Sequence, residues 1–261
     1  MKSRSLFHRT LLALLFVLGL CSTQAFAVSR EFAKTVPLNA DGSFEINNVN
    51  GTVRIEGWDR EEVEVRALKT TPERESALDQ VAIEIESRPD AVFISTRYPQ
   101  DEGVEVAVDY VIHVPRHAQL NRVNTVNGTL RVISSEGIGD LHTVNGNIEV
   151  YEGAGNVHAH TTNGNVYLEL RHPADTRGVS ADTTNGSVLL AIPAGLPADL
   201  EARCMNGNFS SELPMVTRGA DQSRVIHGRL GATGGTAMSA PPIHLGTVNG
   251  TIRIVALHST V

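Results

Sequence analysis

The sequence predicts an all-β protein, a parallel β-solenoid with an N-terminal block of longer strands, and three observations lead to this fold class. A short phrase centred on Asn-Gly recurs seven times, each time ahead of an apolar strand. Apolar and polar residues alternate with a period of two over much of the chain, which is typical of half-buried strands. Aromatic residues make up only 5% of the chain whereas glycine occurs 23 times, so thin strands and many corners fit better than a helical bundle.

The Asn-Gly phrase sets the repeat length. The seven pairs are Asn50–Gly51, Asn127–Gly128, Asn145–Gly146, Asn163–Gly164, Asn185–Gly186, Asn206–Gly207 and Asn249–Gly250. From Asn127 onwards the successive steps are 18, 18, 22, 21 and 43 residues. A fixed period near 20 residues is the signature of a stacked repeat. The final step is about twice the others, and the segment 227–230 at its midpoint resembles a degraded eighth copy.

The residues around each pair describe two inward-facing strands that meet at the pair. With Asn as position zero, small or apolar residues recur at −4, −2, +3 and +5. Those at −4 are Val123, Leu141, Ala159, Ala181, Ala202 and Leu245, and those at +3 are Leu130, Ile148, Val166, Val188, Phe209 and Ile252. Two architectures fit: a hairpin with a type I′ turn at Asn-Gly, and a solenoid in which Asn-Gly is a corner and equivalent strands stack in parallel. The step length and the recurrence of one residue type at one offset favour the solenoid.

The solenoid interpretation makes a specific prediction for the corners. Asn145 and Asn163 are expected in adjacent coils, with buried side-chain amides that bond each other or the corner backbone. Gly146 and Gly164 are expected to adopt positive φ, the region that favours glycine.

The segment before the regular repeats reads as a block of longer strands with one short helix. Alternating stretches lie at 44–47, 52–56, 63–66, 81–86, 92–96 and 104–114. The segment 72–80 is predicted to be helical, because Pro72 stands at its start and glutamates follow in the first turn. Three regions are therefore expected: a signal peptide at 1–27, an N-terminal β block at 28–116, and a β-solenoid of Asn-Gly repeats at 117–256 that shares its core with the block.

The N-terminus has the three parts of an export signal. Lys2, Arg4 and Arg9 form a basic segment, 11–20 is an apolar core, and Ala25-Phe26-Ala27 is a small-x-small cleavage site, so the mature chain is predicted to start at Val28. Ten apolar residues are too few for a membrane anchor, which needs about 20. A lipoprotein starting at Cys21 fits less well, because the bulky Leu20 precedes the cysteine.

Charge and cysteine content narrow the function classes. Without residues 1–27 the chain has 19 Lys and Arg against 29 Asp and Glu, a net charge of −10. An acidic surface argues against nucleic acid and against anionic membranes as partners.

Cys204 is the one cysteine left after cleavage, so no internal disulfide is expected. It occupies the −2 position that holds Thr in five other copies, where it is expected to act as a small buried residue.

The in-register phrases, together with Ile192-Pro193-Ala194-Gly195 and the closing 246–254 stretch, resemble the bacterial putative-adhesin superfamily of exported β-strand-repeat proteins. The resemblance covers residues 45–255. It implies a single-stranded β-helix-like fold outside the cytoplasm, and it supplies no catalytic residues.

One column of the predicted stack has residue types that bind metals. Position −3 holds Asn124, His142, His160, Asp182 and Arg203. Neighbouring coils lie about 4.8 Å apart, so His142, His160 and Asp182 form a candidate ligand set for one divalent ion. A solvent-facing column of mixed polar residues explains the same pattern better, because Arg203 stands at its end. We therefore expect no metal and no other cofactor.

No catalytic signature stands out in the sequence. Motifs of serine hydrolases, zinc peptidases and phosphate-binding loops are missing, and acidic residues do not gather on one face over three coils. The favoured hypothesis is an exported, non-catalytic, adhesin-like binding or structural protein of the cell envelope, in the periplasm or outside the cell. Its expected partner is a protein or glycan of the envelope. The alternative is a polysaccharide lyase or hydrolase on a β-helix scaffold.

Overall fold

The computed structural model describes residues 27–99, 103–171, 178–217, 224–231 and 240–257. The described chain is all-β apart from one helix of five residues. The elements are β1 (Val28–Pro37), β2 (Ser43–Asn47), β3 (Val53–Trp58), β4 (Glu62–Thr71), α1 (Ser76–Gln80), β5 (Ala82–Arg88), β6 (Ala91–Arg97), β7 (Ala107–Pro115), β8 (Gln119–Asn124), β9 (Leu130–Ile133), β10 (Ile138–Asn145), β11 (Ile148–Gly153), β12 (Gly155–Asn163), β13 (Val166–Leu170), β14 (Val179–Asn185), β15 (Val188–Pro193), β16 (Ala198–Asn206), β17 (Phe209–Ser211), β18 (Met215–Thr217), β19 (Val225–Leu230), β20 (Pro242–Asn249) and β21 (Ile252–Leu257).

The strands form two large mixed sheets. The first has eleven strands in the order β18-β19-β16-β20-β14-β12-β10-β8-β2-β6-β5, and the second has ten in the order β1-β4-β7-β3-β9-β11-β13-β15-β21-β17. In every Asn-Gly repeat the strand before the pair lies in the first sheet and the strand after it lies in the second. We call them the upstream sheet and the downstream sheet. The Asn-Gly pair is therefore a corner between two sheets, and the hairpin alternative is wrong.

We call each Asn-Gly repeat, with its upstream strand, corner and downstream strand, a coil. Equivalent strands of neighbouring coils pair in parallel and in register. Asn145 lies opposite Asn163 in the upstream sheet, and Ile148 lies opposite Val166 in the downstream sheet. This register brings like residues together from coil to coil, because each position meets the same position of its neighbour. The same residue types recur at fixed offsets in the sequence because these residues lie opposite one another in neighbouring coils.

The spatial order of the repeats differs from their order in the chain. The repeat of Asn50, formed by β2 and β3, stacks on that of Asn127. The last repeat, formed by β20 and β21, is inserted between β14–β15 and β16–β17. The expected eighth copy at 227–230 is wrong: this segment belongs to β19, which pairs antiparallel with β16. An antiparallel strand meets β16 in reverse, so its residues do not continue the register of the repeats.

Antiparallel strands cover the N-terminal end of the stack. In the downstream sheet β4 pairs antiparallel with β7 and β1 with β4, and in the upstream sheet β5 pairs antiparallel with β6. The predicted helix is present as α1 but is shorter than 72–80, and its Ala77 and Leu78 are buried. The longer strands of the N-terminal segment therefore close one end of the stack.

One continuous core lies between the sheets. Its buried side chains come from the N-terminal strands and from the repeats alike. The inward positions predicted from the sequence are buried, except in the last coil, where Cys204, Phe209 and Ser211 are half-buried, so the expected burial of Cys204 is only partial. β17 is the final strand of the downstream sheet, so no further coil of the described chain covers Phe209 and Ser211.

Residues 1–26, with Cys21 and almost all of the predicted signal peptide, lie outside the described part of the chain. Within the part that is described, no helix is sufficiently long and apolar to cross a membrane.

Candidate functional site

The seven corner asparagines form one hydrogen-bonded row, which we call the asparagine ladder. In six of the seven, all except Asn50 at the N-terminal end, the side-chain Nδ2 donates to the Oδ1 of the neighbour nearer to that end. The donor–acceptor distances, in spatial order, are Asn127–Asn50 2.8 Å, Asn145–Asn127 2.9 Å, Asn163–Asn145 2.8 Å, Asn185–Asn163 2.8 Å, Asn249–Asn185 2.9 Å and Asn206–Asn249 2.9 Å. The prediction that Asn145 and Asn163 bond each other is confirmed. Their expected burial is wrong, because both side chains lie on the exposed outer side of the corner.

The glycines of the corners are required for a different reason from the predicted one. Positive φ is not found at Gly146 or Gly164, whereas Gly51 in the first coil has φ 119°. A Cβ on Gly164 would lie 2.0 Å from the carbonyl oxygen of Gly146, and the same distance separates a Cβ on Gly146 from the oxygen of Gly128. Any side chain at these positions would overlap the backbone of the preceding coil. Close approach of the coils, rather than a left-handed backbone, therefore selects glycine.

The threonines at position −2 bind the same glycine carbonyls. Thr143 Oγ1 donates to Gly128 O at 3.0 Å and Thr161 Oγ1 to Gly146 O at 2.9 Å, and both threonines are fully buried. A buried hydroxyl needs a partner, and the carbonyl of the preceding corner supplies it. Cys204 takes this place in the last coil, where its Sγ contacts Gly250 O at 3.4 Å and burial raises the thiol pKa.

A second row of side chains runs beside the asparagine ladder at position +2. Asn147 Oδ1 accepts from the backbone N–H of Asn165 at 2.9 Å, and Asn165 Oδ1 accepts from the N–H of Ser187 at 2.8 Å. This capping role was missed in the sequence, although the small polar residue after each Asn-Gly pair was its visible signal. Nearly every repeated residue of the phrase thus serves the contact between coils.

The residues at position −3 lie in one outward column of the upstream sheet, as the sequence predicts. His142 and His160 are register partners and their rings stack, with centroids 5.3 Å apart and planes 4° from parallel. Asp182 is the next partner, but Ser180 Oγ donates to its carboxylate at 3.0 Å. That carboxylate also occupies the space above Gly246, which separates Asp182 from Arg203.

The candidate metal set is thus adjacent in space but not arranged as a ligand set. Of the residues described, no three or more His, Cys, Asp or Glu side chains are grouped to hold a metal ion. The stacked rings present their faces to each other, whereas metal binding uses the ring nitrogens in the ring plane.

The −3 column and the −5 column beside it line a shallow cavity of about 340 Å³ on the outer side of the upstream sheet. Asp140 and His158, at −5, are register partners and form one wall with Arg122. A second cavity of about 500 Å³ adjoins the first and shares Asp140 and His158 with it. Together these outward side chains form a polar surface of mixed charge, which we call the histidine face.

The opposite surface, on the downstream sheet, carries an aromatic pair that the sequence did not indicate. Tyr151 and Tyr167 lie in adjacent coils with ring centroids 5.1 Å apart. Tyr167 Oη donates to Glu169 at 3.1 Å, and burial together with the Glu169 charge raises the Tyr167 pKa to about 12. The neighbouring carboxylates are held by arginines, Glu149 by Arg131 and Glu169 by Arg171. Tyr151 stands at offset +6 and Tyr167 at offset +4, and the residue types at these two offsets differ from copy to copy. The repeat pattern therefore does not reveal this cluster.

Substitutions at the corner separate the role of the asparagine, which hydrogen-bonds to its neighbours, from that of the glycine, which allows the coils to approach closely. Asn163→Ala removes one donated and one accepted rung, and since the groups left behind reach water we expect a loss of about 1–2 kcal/mol in unfolding free energy. Gly164→Ala forces the coils apart and should cost about 3 kcal/mol or more. The exposed His160→Ser is the control, expected within about 0.5 kcal/mol of wild type. Chemical denaturation measures all three, and a Gly164→Ala variant as stable as His160→Ser would disprove the close-approach argument.

The histidine pair makes stability depend on pH. Burial, and then the nearby His160, lower the His142 pKa, so the folded state favours the neutral ring. The unfolded chain then binds more protons than the folded one once the pH drops below its ordinary pKa of about 6.5. This contribution is complete above that pH and is lost as the pH falls through the folded pKa. We expect the unfolding free energy of His142→Asn to fall less than that of wild type between about pH 7.5 and pH 5. Equal falls in both proteins would contradict the assignment.

Comparison with known proteins gives similarity at the level of the fold. No family model matches the chain, and no curated protein matches it. A putative cell adhesion protein from Clostridium sporogenes superposes with a TM-score of 0.52 at 11% identity, over 88% of this chain and 100% of that one. A putative adhesin from Bacteroides fragilis and a putative lipid binding protein from Parabacteroides distasonis, each 11% identical, cover 87% of this chain and are themselves 97% covered, with TM-scores of 0.41 and 0.33. The chain therefore has the fold of the Clostridium sporogenes protein, in agreement with the resemblance that the repeated phrase shows to putative adhesins.

Proposed function

We propose that this chain is an exported, non-catalytic, adhesin-like protein that binds a protein or glycan of the cell envelope. The observation that carries the proposal is the division between repeated and variable positions. The side chains of the repeated Thr and Asn form hydrogen bonds between coils, and the repeated Gly allows the coils to approach closely. Successive outward positions, in contrast, hold different side chains, such as His160, Asp182 and Gly246 in one column. Repeat proteins build extended binding surfaces in this way.

The architecture we propose for it is a parallel β-solenoid over 117–256, continuous with the N-terminal block at 28–116. Parallel in-register pairing of consecutive coils supports this description. The stacking of the Asn50 repeat on that of Asn127 supports a single continuous unit.

The histidine face is our candidate for the binding surface. It has concave relief, with a cavity of about 340 Å³ lined by Arg122, Asp140, His142, His158 and Asp182 among others. Imidazole, carboxylate and guanidinium groups offer both donors and acceptors, which suits a polar partner. The neighbouring stacked coils hold these side chains on a rigid scaffold, so little ordering is needed on binding.

The alternative, a carbohydrate-active enzyme on the same scaffold, is supported less well. Such enzymes use two carboxyl groups, one of which is protonated as a general acid. The carboxylates beside the tyrosine pair are each bound to an arginine, Glu149 at 2.6 Å and Glu169 at 2.9 Å. Each guanidinium occupies a carboxylate oxygen that a catalytic acid or nucleophile would have to present to the sugar, so these groups are poorly placed for that role.

A capture experiment tests the binding proposal. Immobilised mature protein is exposed to envelope extract, and the captured material is identified and its affinity measured. His142→Ala combined with His158→Ala is expected to lower the affinity at least about fivefold, because it removes central contacts of the face. Arg253→Ala combined with Glu212→Ala is the matched control, since this exposed ion pair lies on the downstream sheet. Equal affinity of both double variants would place the partner elsewhere. Turnover of a purified envelope polysaccharide, abolished by one carboxylate substitution, would favour the enzyme instead.

Export is the second testable part of the proposal. The predicted cleavage after Ala27 leaves Val28 first, and Val28 is also the first residue of β1, so cleavage there leaves the strand intact. Mass spectrometry of the protein from periplasmic and extracellular fractions should find Val28 at the N-terminus. A chain that starts at a lipidated Cys21, or one that keeps residues 1–27, would contradict this prediction.

A further inference from the structure

The seven Asn-Gly pairs differ in how their glycine N–H is bonded. In six of them the glycine N–H donates to the asparagine carbonyl of the next coil. These bonds are Gly51–Asn127 2.9 Å, Gly128–Asn145 3.0 Å, Gly146–Asn163 3.0 Å, Gly164–Asn185 3.0 Å, Gly186–Asn249 3.0 Å and Gly250–Asn206 3.1 Å. Gly207 belongs to the last coil of the stack, and no further coil follows it in the part of the chain that the structure describes. Its N–H has no backbone acceptor among the described residues.

The side chain of Asn206 is also held on one side alone. Its Nδ2 donates to Asn249 Oδ1 at 2.9 Å, but within the described chain no asparagine donates to its own Oδ1. Asn163, in contrast, both donates to Asn145 and accepts from Asn185. At the other end of the ladder Asn50 is also held by one rung, in which its Oδ1 accepts from Asn127 at 2.8 Å, but the Gly51 N–H there is bonded to Asn127 O. Asn206 and Gly207 are both exposed, so water reaches this corner.

We propose that Asn206–Gly207 is a site of spontaneous deamidation, and that the stack protects the other six pairs. In this reaction the backbone nitrogen of Gly207 loses its proton and attacks Cγ of Asn206. The new C–N bond closes a five-membered succinimide ring as the bond from Cγ to Nδ2 breaks and ammonia leaves. Water then adds to one of the two ring carbonyls and opens the ring to aspartate or isoaspartate. Glycine allows the attack because it has no side chain to block the ring.

The hydrogen bonds explain why the fold selects this pair. The attacking nitrogen must give up its proton and approach its own side chain. In the six pairs other than Asn206–Gly207, which we call the inner pairs, the glycine N–H donates to the next coil and the asparagine carboxamide is fixed in the asparagine ladder. Both bonds have to break before the inner pairs react. At Asn206 the first bond is missing and the side chain keeps a single rung.

The product changes the end of the stack. An aspartate or isoaspartate at position 206 is ionised at neutral pH and has no N–H to donate, so it faces Asn249 Oδ1 with an acceptor in place of a donor. The last rung is lost and a negative charge is added. Isoaspartate also lengthens the backbone by one carbon, which shifts the register between Asn206 and β17. The last coil of an ageing molecule is therefore expected to loosen while the inner coils stay intact.

Peptide mapping tests the proposal directly. Mature protein is incubated at mildly alkaline pH, sampled over time and digested, and each Asn-Gly peptide is scored by mass for deamidation. Isoaspartyl methyltransferase labelling detects isoaspartate independently. Deamidation at Asn206 is expected to be at least about tenfold faster than at Asn163, because two neutral hydrogen bonds protect the inner pair against reaction.

Two controls make the result decisive. In denaturant all seven pairs should react at similar rates, which shows that the selectivity comes from the fold. Asn206→Ser should remove the fast component and leave the inner rates unchanged. Equal rates at Asn206 and Asn163 in the folded protein, or a faster rate at any inner pair, would overturn the proposal. As a second readout, hydrogen exchange of β17 in Asn206→Asp should be faster than in wild type, and unchanged exchange would refute the predicted loosening.

Discussion

The close contact between glycines of adjacent coils is the constraint on which the rest of the structure depends. At each corner the glycine carbonyl oxygen lies so close to the glycine of the next coil that a Cβ there would overlap it, as Gly146 O does for Gly164. This proximity lets the buried hydroxyl of Thr161 reach that oxygen and the carboxamide of Asn163 reach that of Asn145. Parallel pairing of the flanking strands then follows, since both strands of a coil leave a corner that is fixed against its neighbour. A bulkier corner would weaken all these bonds together.

The corner contacts hold thin coils together without a disulfide among the described residues. A single free cysteine remains in the described chain, and it replaces a threonine in the same contact. The fold is stabilised by backbone hydrogen bonds within the sheets, by the asparagine ladder and by a continuous apolar core. The outward side chains are not needed for the contacts between coils, so their residue types can differ between the two faces. One carries histidines and carboxylates around a cavity, and the other carries a tyrosine pair with arginine-bound carboxylates.

The two ends of the stack are not equivalent. At the N-terminal end antiparallel strands extend both sheets. At the other end β19 and β18 extend the upstream sheet, whereas the downstream sheet stops at β17. The asparagine ladder also has a direction, since every rung is donated toward Asn50, which leaves Asn50 Nδ2 at one end and Asn206 Oδ1 at the other. Chemically identical Asn-Gly pairs therefore differ in their surroundings, which a repeated sequence does not reveal.

The sequence by itself determined the all-β class, the seven corners and their inward positions, because each depends on local pattern and on a register that repeats at a fixed offset. Residues such as Val123 and Ile148 are buried where the period of two places them. The tertiary structure alone decided which coil lies next to which, because parallel strands with equal patterns pair equally well in several orders. It placed the repeat of Asn249 between those of Asn185 and Asn206 and made 227–230 an antiparallel strand. It also decided why glycine is required, since the overlap at Gly164 is with a residue 18 positions away in another coil, and no local rule on φ contains that distance.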